Sequence, residues 1–150
     1  MLRKLHKFID LDPYMRKLFI EAYTALGIAR MQLQMKSFKQ IVTSLDLNSV
    51  QSPVYNLPNH QLETARSIGS AIQLAAGNTP WESACLAQSL AAQKMMMKRG
   101  IPGILYLGVT QDVQNNEPLH AHAWLQCTDQ FITGELGHER FKVLSTFSWQ

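Results

Sequence analysis

The 150-residue chain has few cysteines and no long apolar segment. Its two cysteines, Cys85 and Cys127, are too few and too far apart for the disulfide framework of a small secreted protein. No stretch of about 20 uncharged apolar residues is present, so no membrane-spanning helix is expected. The basic N-terminus is not followed by the apolar core and cleavage site of a signal peptide. These absences favour a cytoplasmic protein with free thiols.

The net charge of +3 is unevenly distributed along the chain. Residues 1–45 contain eight lysines and arginines against three acidic residues, whereas residues 46–150 contain six against eight. A basic segment of this kind is typical of a solvated helix face, and it also suits docking of an acidic peptide or protein. A membrane surface is a further possible docking target of this segment, although membrane contact is not the expected role. Because no basic motif is interleaved with aromatic residues, nucleic acid is not a predicted partner.

Asp12-Pro13 predicts the start of a first helix, with the aspartate as N-cap and the proline as the first helical residue. Apolar residues then recur at helical spacing, at Leu18, Ala22, Ala25, Ile28 and Ala29. A break is predicted near Lys36-Ser37, after which the helical pattern resumes.

Residues 48–58 predict a connector, because they contain two prolines, two asparagines and two serines. Asn59 is then placed to cap a helix from residue 61 to residue 76, which ends at a Gly-Asn stop signal. The sequence therefore predicts an N-terminal helical region with its connector over residues 1–58 and a second domain over residues 59–150.

Beyond Gly103 the pattern changes from helical spacing to short apolar runs rich in strand-forming residues. A polar loop is predicted to follow the first run, and Thr128-Asp129 is the predicted turn between two later ones. The predicted strands cover residues 104–109, 119–126, 131–133 and 141–149. Helices followed by antiparallel strands predict an α+β fold, with a helix packed on an antiparallel sheet.

Thr79-Pro80-Trp81-Glu82 predicts the start of a further helix. Thr79 would be the N-cap and Glu82 would complete a capping box, so the helix is predicted from Pro80 to Arg99. Cys85 would then lie in the second turn, where the influence of the helix dipole has faded. The thiol would need a nearby base to act as a nucleophile, and without one it is an ordinary buried cysteine.

His122 is the candidate base, because a thiol and an imidazole on two different elements are the arrangement that acyl-transfer chemistry requires. With residues 128 and 129 as a two-residue turn, residue 122 would lie opposite Glu135 on the next strand. Glu135 would then orient the imidazole as the third member of a catalytic triad.

No metal and no cofactor is predicted. His120 and His122 share one face of a strand and His138 is a further potential ligand, but no additional cluster completes a zinc site.

Five short blocks follow one another within residues 80–135. They are Pro80-Trp81, Cys85-Leu86, Arg99-Gly100-Ile101-Pro102, Gly108-Val109 and Ala121-His122-Ala123-Trp124. Together, at this spacing, they resemble the leader peptidases of lasso-peptide biosynthesis, which are transglutaminase-like enzymes of the papain-like cysteine protease superfamily.

The resemblance implies a transglutaminase-like fold with a papain-like thiol site. Cys85 matches the nucleophile, His122 matches the general base, and Glu135 is the nearest match to the acidic residue that the family carries on the next strand. The sequence departs from the family in two places, since Leu125-Gln126 replaces the usual Val-Glu and Thr128-Asp129-Gln130 replaces the usual Asp-Gly turn.

The resemblance also implies a role and partners. Such enzymes remove the leader from a ribosomally made precursor peptide, and a separate cyclase, here a further candidate partner, then forms the macrolactam. Some relatives carry a leader-recognition domain, but the residues before the catalytic blocks show no winged-helix-like pattern, which predicts a separate leader-recognition protein. Arg16, Lys17 and Arg30 are the predicted docking residues for it.

Two other interpretations stay open from the sequence alone. The same thiol and imidazole could transfer the acyl group to an amine instead of water, because access of the acceptor decides between the two outcomes. The chain could also be a catalytically silent peptide-binding module, in which Cys85 is buried and His122 is a packed strand residue. An accessible, reactive Cys85 would argue against the silent module.

Overall fold

The structure, a computed structural model, describes residues 7–47, 56–110 and 120–150. The chain forms helices α1 (Pro13–Met35), α2 (Phe38–Leu47), α3 (Asn59–Ala76) and α4 (Cys85–Met97), followed by strands β1 (Gly103–Thr110), β2 (Ala121–Cys127), β3 (Gln130–Thr133) and β4 (Phe141–Trp149). The predicted polar loop after the first strand lies outside the described residues, as does most of the predicted connector. Helices precede an antiparallel sheet, so the α+β prediction is confirmed.

Helix α1 begins as the sequence predicts. The Asp12 carboxylate accepts hydrogen bonds from the backbone N–H groups of Tyr14 and Met15, both at 3.0 Å, and Pro13 is the first helical residue. The buried face of the helix consists of Leu18, Ala22, Ala25, Leu26 and Ala29. This face differs from the predicted one only in that Leu26 is buried where Ile28 was expected.

At the break that the sequence predicts near Lys36-Ser37, α1 ends and α2 begins with a capping pair. The Ser37 N–H donates to Gln40 Oε1 at 2.9 Å, and the Gln40 N–H donates to the Ser37 hydroxyl at 3.2 Å. This reciprocal pair is a capping box, which satisfies two backbone donors that would otherwise lack partners. The two helices are therefore separate elements.

Helix α3 starts two residues earlier than the sequence predicts. Asn59 is its first helical residue and Pro58 occupies the cap position without a side-chain hydrogen bond, so the prediction that Asn59 caps the helix is wrong. The Pro58 carbonyl accepts from the N–H groups of Gln61 and Leu62, which draws residues 59 and 60 into the helix. The predicted end at Ala76 is confirmed.

The sheet has the strand order β3-β2-β1-β4, and every neighbouring pair is antiparallel. One face of it packs against α3 and α4, and α1 packs in turn against both helices. Side chains of α1, α3, α4 and the sheet meet in one hydrophobic core, for example Leu26, Ile72, Met96 and Leu125. The boundary between residues 58 and 59 stays a prediction, but α1 shares this core with the elements that follow it.

An ion pair fastens α1 to the end of α4. The Arg99 guanidinium donates to both carboxylate oxygens of Glu21, at 2.9 and 2.7 Å. This hydrogen bonding holds the pKa of Glu21 below its ordinary value and raises the pKa of Arg99. Beyond Arg99, Gly100 has a left-handed φ of 63° and the Ile101 N–H donates to the Met96 carbonyl, which closes the helix in a Schellman motif. The axis of α4 is thus fixed at this end.

None of the helices in the described part of the chain is long and apolar enough to cross a bilayer.

Candidate active site

Cys85 is the first residue of α4, not a residue of its second turn. The predicted helix start at Thr79 is wrong. The Thr79 hydroxyl binds within the bend that precedes α4, where it lies 2.8 Å from the Trp81 carbonyl oxygen and 3.0 Å from the Ser83 hydroxyl. That hydroxyl therefore does not cap a helix, and residues 80–84 stay irregular. Ala84 takes the cap position, without a side-chain hydrogen bond.

Helix α1 holds this irregular segment in place. The Arg30 guanidinium lies 6.0 Å from the centre of the Trp81 ring and donates to the Glu82 carbonyl at 3.4 Å. The Trp81 ring also meets the edge of Tyr23, with ring centres 5.6 Å apart. Contacts from α1 therefore determine where the chain enters α4, and so where Cys85 stands.

The position of Cys85 in the first turn changes its electrostatics. The first backbone hydrogen bond of the helix runs from the Gln88 N–H to the Ala84 carbonyl at 3.0 Å. The N–H groups of residues 85–87 precede it and have no carbonyl one turn earlier to bind, as is general for helix starts. Their partial positive charge suits a negatively charged oxygen beside Cys85. The first turn of α4 therefore lies closer to the thiol than the sequence predicted.

His122 lies on β2, and the ring is held by one backbone hydrogen bond. Its Nε2 is 2.8 Å from the carbonyl oxygen of Gly134. A carbonyl oxygen only accepts, so Nε2 carries the proton and Nδ1 of the neutral ring keeps its lone pair. The rings of Phe141 and Trp124 flank the imidazole, with centres 4.9 and 5.8 Å away. The geometry thus fixes the tautomer that a base acting through Nδ1 requires.

The pairing of β2 with β3 differs from the predicted pairing, and this changes the position of Glu135 relative to His122. Cys127 pairs with Gln130 and Gln126 with Phe131, as predicted, but a bulge then shifts the ladder so that Leu125 pairs with Thr133. The strand ends there, and the prediction that Glu135 lies directly opposite His122 is wrong. A one-residue bulge changes which residues face each other for the rest of the strand.

Gly134 lies beside His122, where Glu135 was predicted. Its φ is 73°, and a Cβ on it would lie 2.8 Å from Cβ of Trp124. Only glycine lets the chain come this close to β2, and the close approach brings the Gly134 carbonyl to the imidazole. The glycine before Glu135 was the signal for this contact in the sequence.

One cavity of about 510 Å³ unites the three predicted site residues. Cys85, His122 and Glu135 all line it. Cys85 is half-buried and Glu135 is exposed, so both side chains are accessible from the cavity. The structure therefore places Cys85 of α4 and His122 of β2 in the lining of one accessible cavity, and their catalytic roles stay predictions.

A buried hydrogen bond connects the two halves of this site. The Ser89 and Thr133 hydroxyls lie 2.8 Å apart, and both side chains are buried. Ser89 is one turn beyond Cys85 on α4, and Thr133 directly precedes Gly134. The bond therefore ties the helix that carries the thiol to the strand end that holds the imidazole. The sequence offered no signal for it, since serine and threonine are common at exposed positions.

His120 and His138 are the two histidines that the sequence considered, with His122, as potential zinc ligands. His120 is exposed, and the His138 ring packs against Phe131, with ring centres 4.5 Å apart. His138 Nδ1 lies 2.7 Å from the Glu135 carbonyl oxygen. Within the described residues, no three or more His, Cys, Asp or Glu side chains are grouped so that they could hold a metal ion.

The two thiols are expected to differ in reactivity. Cys127 is fully buried, its Sγ lies 3.4 Å from the Pro102 carbonyl oxygen, and burial raises its pKa to about 11. We expect iodoacetamide at pH 7.5 to modify Cys85 and leave Cys127 unmodified until the protein is denatured. Peptide mapping after a time course measures both sites. Equal labelling of both thiols in the native protein would contradict the arrangement.

Residues 29–146 match the family model described as the transglutaminase-like superfamily. No curated protein and no solved structure matches the chain significantly. The superfamily includes cysteine peptidases and acyltransferases. The match covers most of the chain, including α3, α4 and the strands that carry the candidate site.

Proposed function

Because the chain belongs to the transglutaminase-like superfamily, we propose that it is a cysteine peptidase that removes the leader from a ribosomally made lasso-peptide precursor. The observation that carries the proposal is the pairing of Cys85 at a helix start with His122 in one cavity, the imidazole being held so that Nδ1 is its basic nitrogen. The leader-peptidase role rests further on the sequence blocks around these two residues.

In the proposed mechanism, Nδ1 of His122 takes the proton of the Cys85 thiol, and the thiolate attacks the carbonyl carbon at the junction of leader and core. The N–H groups of the first turn of α4 stabilise the oxyanion. The imidazolium then protonates the leaving amine, which frees the core peptide. His122 next takes a proton from water, the hydroxide attacks the thioester, and the leader leaves as a carboxylic acid while the thiol is restored.

Glu135 is proposed to assist His122 without forming part of the essential catalytic pair. The Gly134 carbonyl already holds Nε2 of His122, and this contact alone can orient the ring. The Glu135 carboxylate is exposed in the same cavity, where it would favour the imidazolium through space rather than by a direct hydrogen bond. The acidic group is therefore proposed to assist the base and not to be required by it.

The proposed partners are the precursor peptide, a separate leader-recognition protein and, in the same pathway, the macrolactam-forming cyclase. Two of the predicted docking residues serve the fold instead. The Arg16 guanidinium donates to the carbonyls of Ile9 and Leu11, at 2.9 and 2.8 Å, and Arg30 holds the segment before Cys85. Lys17 is exposed and stays in the proposal.

A groove of about 340 Å³ between α1, α2 and α4 suits the recognition protein better. Lys36 and Lys94 line it together with apolar side chains such as Ile41 and Met97, and no acidic residue is among its described lining. A partner segment with acidic and apolar side chains would complement it. Changing both lysines to glutamate is expected to reduce co-purification with the recognition protein. Unchanged co-purification would remove this surface from the proposal.

The test of the proposed activity is incubation of the chain with a full-length precursor peptide and the recognition protein. Mass spectrometry should find leader and core whose masses together equal the precursor plus one water. A product carrying an added amine in place of water would indicate the acyl-transfer alternative instead. An intact precursor in the presence of all components would refute the peptidase proposal.

A further inference from the structure

The cavity at Cys85 continues as a trough along α3. Arg66, Ser70 and Gln73 line it, and their spacing of four and three residues places them on one face of the helix. Phe131 and Leu136, near the end of β3, line the same trough. Leu136 is 92% exposed, which leaves its apolar side chain open to a bound chain. The trough therefore has a polar helical wall and partly apolar residues of the strand end.

The trough has a defined direction relative to the thiol. Arg66 acts on Asp129, which precedes β3, and Gly69 packs on Ile132 within that strand. Helix α3 therefore follows β3 toward Gly134, and Gln73 lies at the end nearer the catalytic residues. Arg66 lies seven residues earlier, which is about 10 Å along the helix axis. The positive charge of Arg66 acts on the turn between β2 and β3. Hydrogen bonds from Gln130 and Thr128 mainly lower the pKa of Asp129, and the Arg66 cation adds to the effect.

The charges of the trough differ between its two ends. Glu135 directly follows Gly134, whose carbonyl binds His122, so its negative charge belongs to the catalytic end. Arg66 is exposed, and within the described residues its guanidinium forms no salt bridge. A guanidinium in this state can bind a carboxylate through two parallel hydrogen bonds. The far end of the trough is therefore suited to an acidic side chain.

We propose that Arg66 selects peptides that carry aspartate or glutamate a few residues from the scissile bond. The step from Gln73 to Arg66 alone corresponds to about three residues of a bound peptide, because an extended chain advances about 3.3 Å per residue and would need about three residues to cover 10 Å. This inference rests on the proposed peptidase function, and it names a specificity-determining residue and a substrate class for it.

The test uses three fluorescent peptides with a reduced, non-hydrolysable bond at their centre. One carries glutamate three residues before that bond, one carries it three residues after, and the reference carries glutamine at both positions. Fluorescence polarisation measures their dissociation constants. We expect one of the acidic peptides to bind the wild-type protein about fivefold more tightly than the reference, the range of a solvent-accessible charge pair.

Two variants separate recognition by Arg66 from general electrostatic attraction. Arg66→Glu should abolish the preference for the acidic peptide over the glutamine reference. Lys39→Glu makes the same change in net charge at an exposed position of α2 and should preserve the preference. Equal binding of all three peptides would overturn the Arg66 inference but leave the peptide site standing. If none of the peptides binds, the Arg66 inference also fails, whereas the peptidase proposal is decided separately by the precursor cleavage test with the recognition protein.

Discussion

Cys85→Ala is expected to abolish cleavage of the precursor, with kcat reduced by about 10⁴-fold or more, because it removes the thiol that is proposed to form the thioester. Alanine is tolerated at the start of a helix, and Cys85 is only half-buried, so the fold should be kept. Single-turnover cleavage followed by mass spectrometry measures the loss, and circular dichroism checks the fold. Cys127→Ala, which removes the other thiol, is the matched control and should cleave normally.

His122→Ala should have an effect of the same kind, since general acid-base catalysis typically contributes 10²–10⁴-fold. It should also slow alkylation of Cys85, because the variant lacks the proposed acceptor of the thiol proton. Glu135→Ala is the comparison and is expected to cost less than about tenfold, since the Gly134 carbonyl still orients the ring. Substantial turnover by a folded Cys85 or His122 variant would overturn the catalytic assignment.

Elements set by local interactions could be predicted from the sequence. The start of α1 at Asp12-Pro13 and the turn at Thr128-Asp129 depend on residues adjacent in the chain, and both are confirmed. The change from helical spacing to short apolar runs also predicted the α+β fold, because periodicity reflects which face of each element is buried. Residues close together in the chain were sufficient to predict an element wherever no contact with a distant part of the chain changed its course.

The predictions that failed depended on distant contacts. The Thr79 motif has the composition of a capping box, but Arg30 of α1 holds the following residues in an irregular path, and α4 starts only at Cys85. The bulge before Gln126 likewise moved Glu135 away from His122. Neither the packing of α1 on this segment nor a one-residue bulge leaves a periodic signal in the sequence.

Another distant contact, the Ser89–Thr133 hydrogen bond, ties the helix that carries the thiol to the strand end next to the imidazole. Ser89→Ala leaves the buried Thr133 hydroxyl without its partner, and we expect it to reduce the free energy of unfolding by about 1–3 kcal/mol. The change should also lower kcat about tenfold with little change in KM, because small displacements of reacting groups mainly impair the chemical step. Urea denaturation and cleavage kinetics measure the two effects.

The double variant Ser89→Ala/Thr133→Val shows whether the hydrogen bond itself is responsible. Removing both hydroxyls leaves no unsatisfied polar group, so its stability should exceed that expected from the sum of the two single variants. Activity should stay low, because α4 and the strand end lose their directional link even when the core is stable. Recovery of stability with persistent loss of kcat would thus distinguish a positioning contact from a purely structural one. Full activity in the double variant would show that packing alone sets the distance between Cys85 and His122.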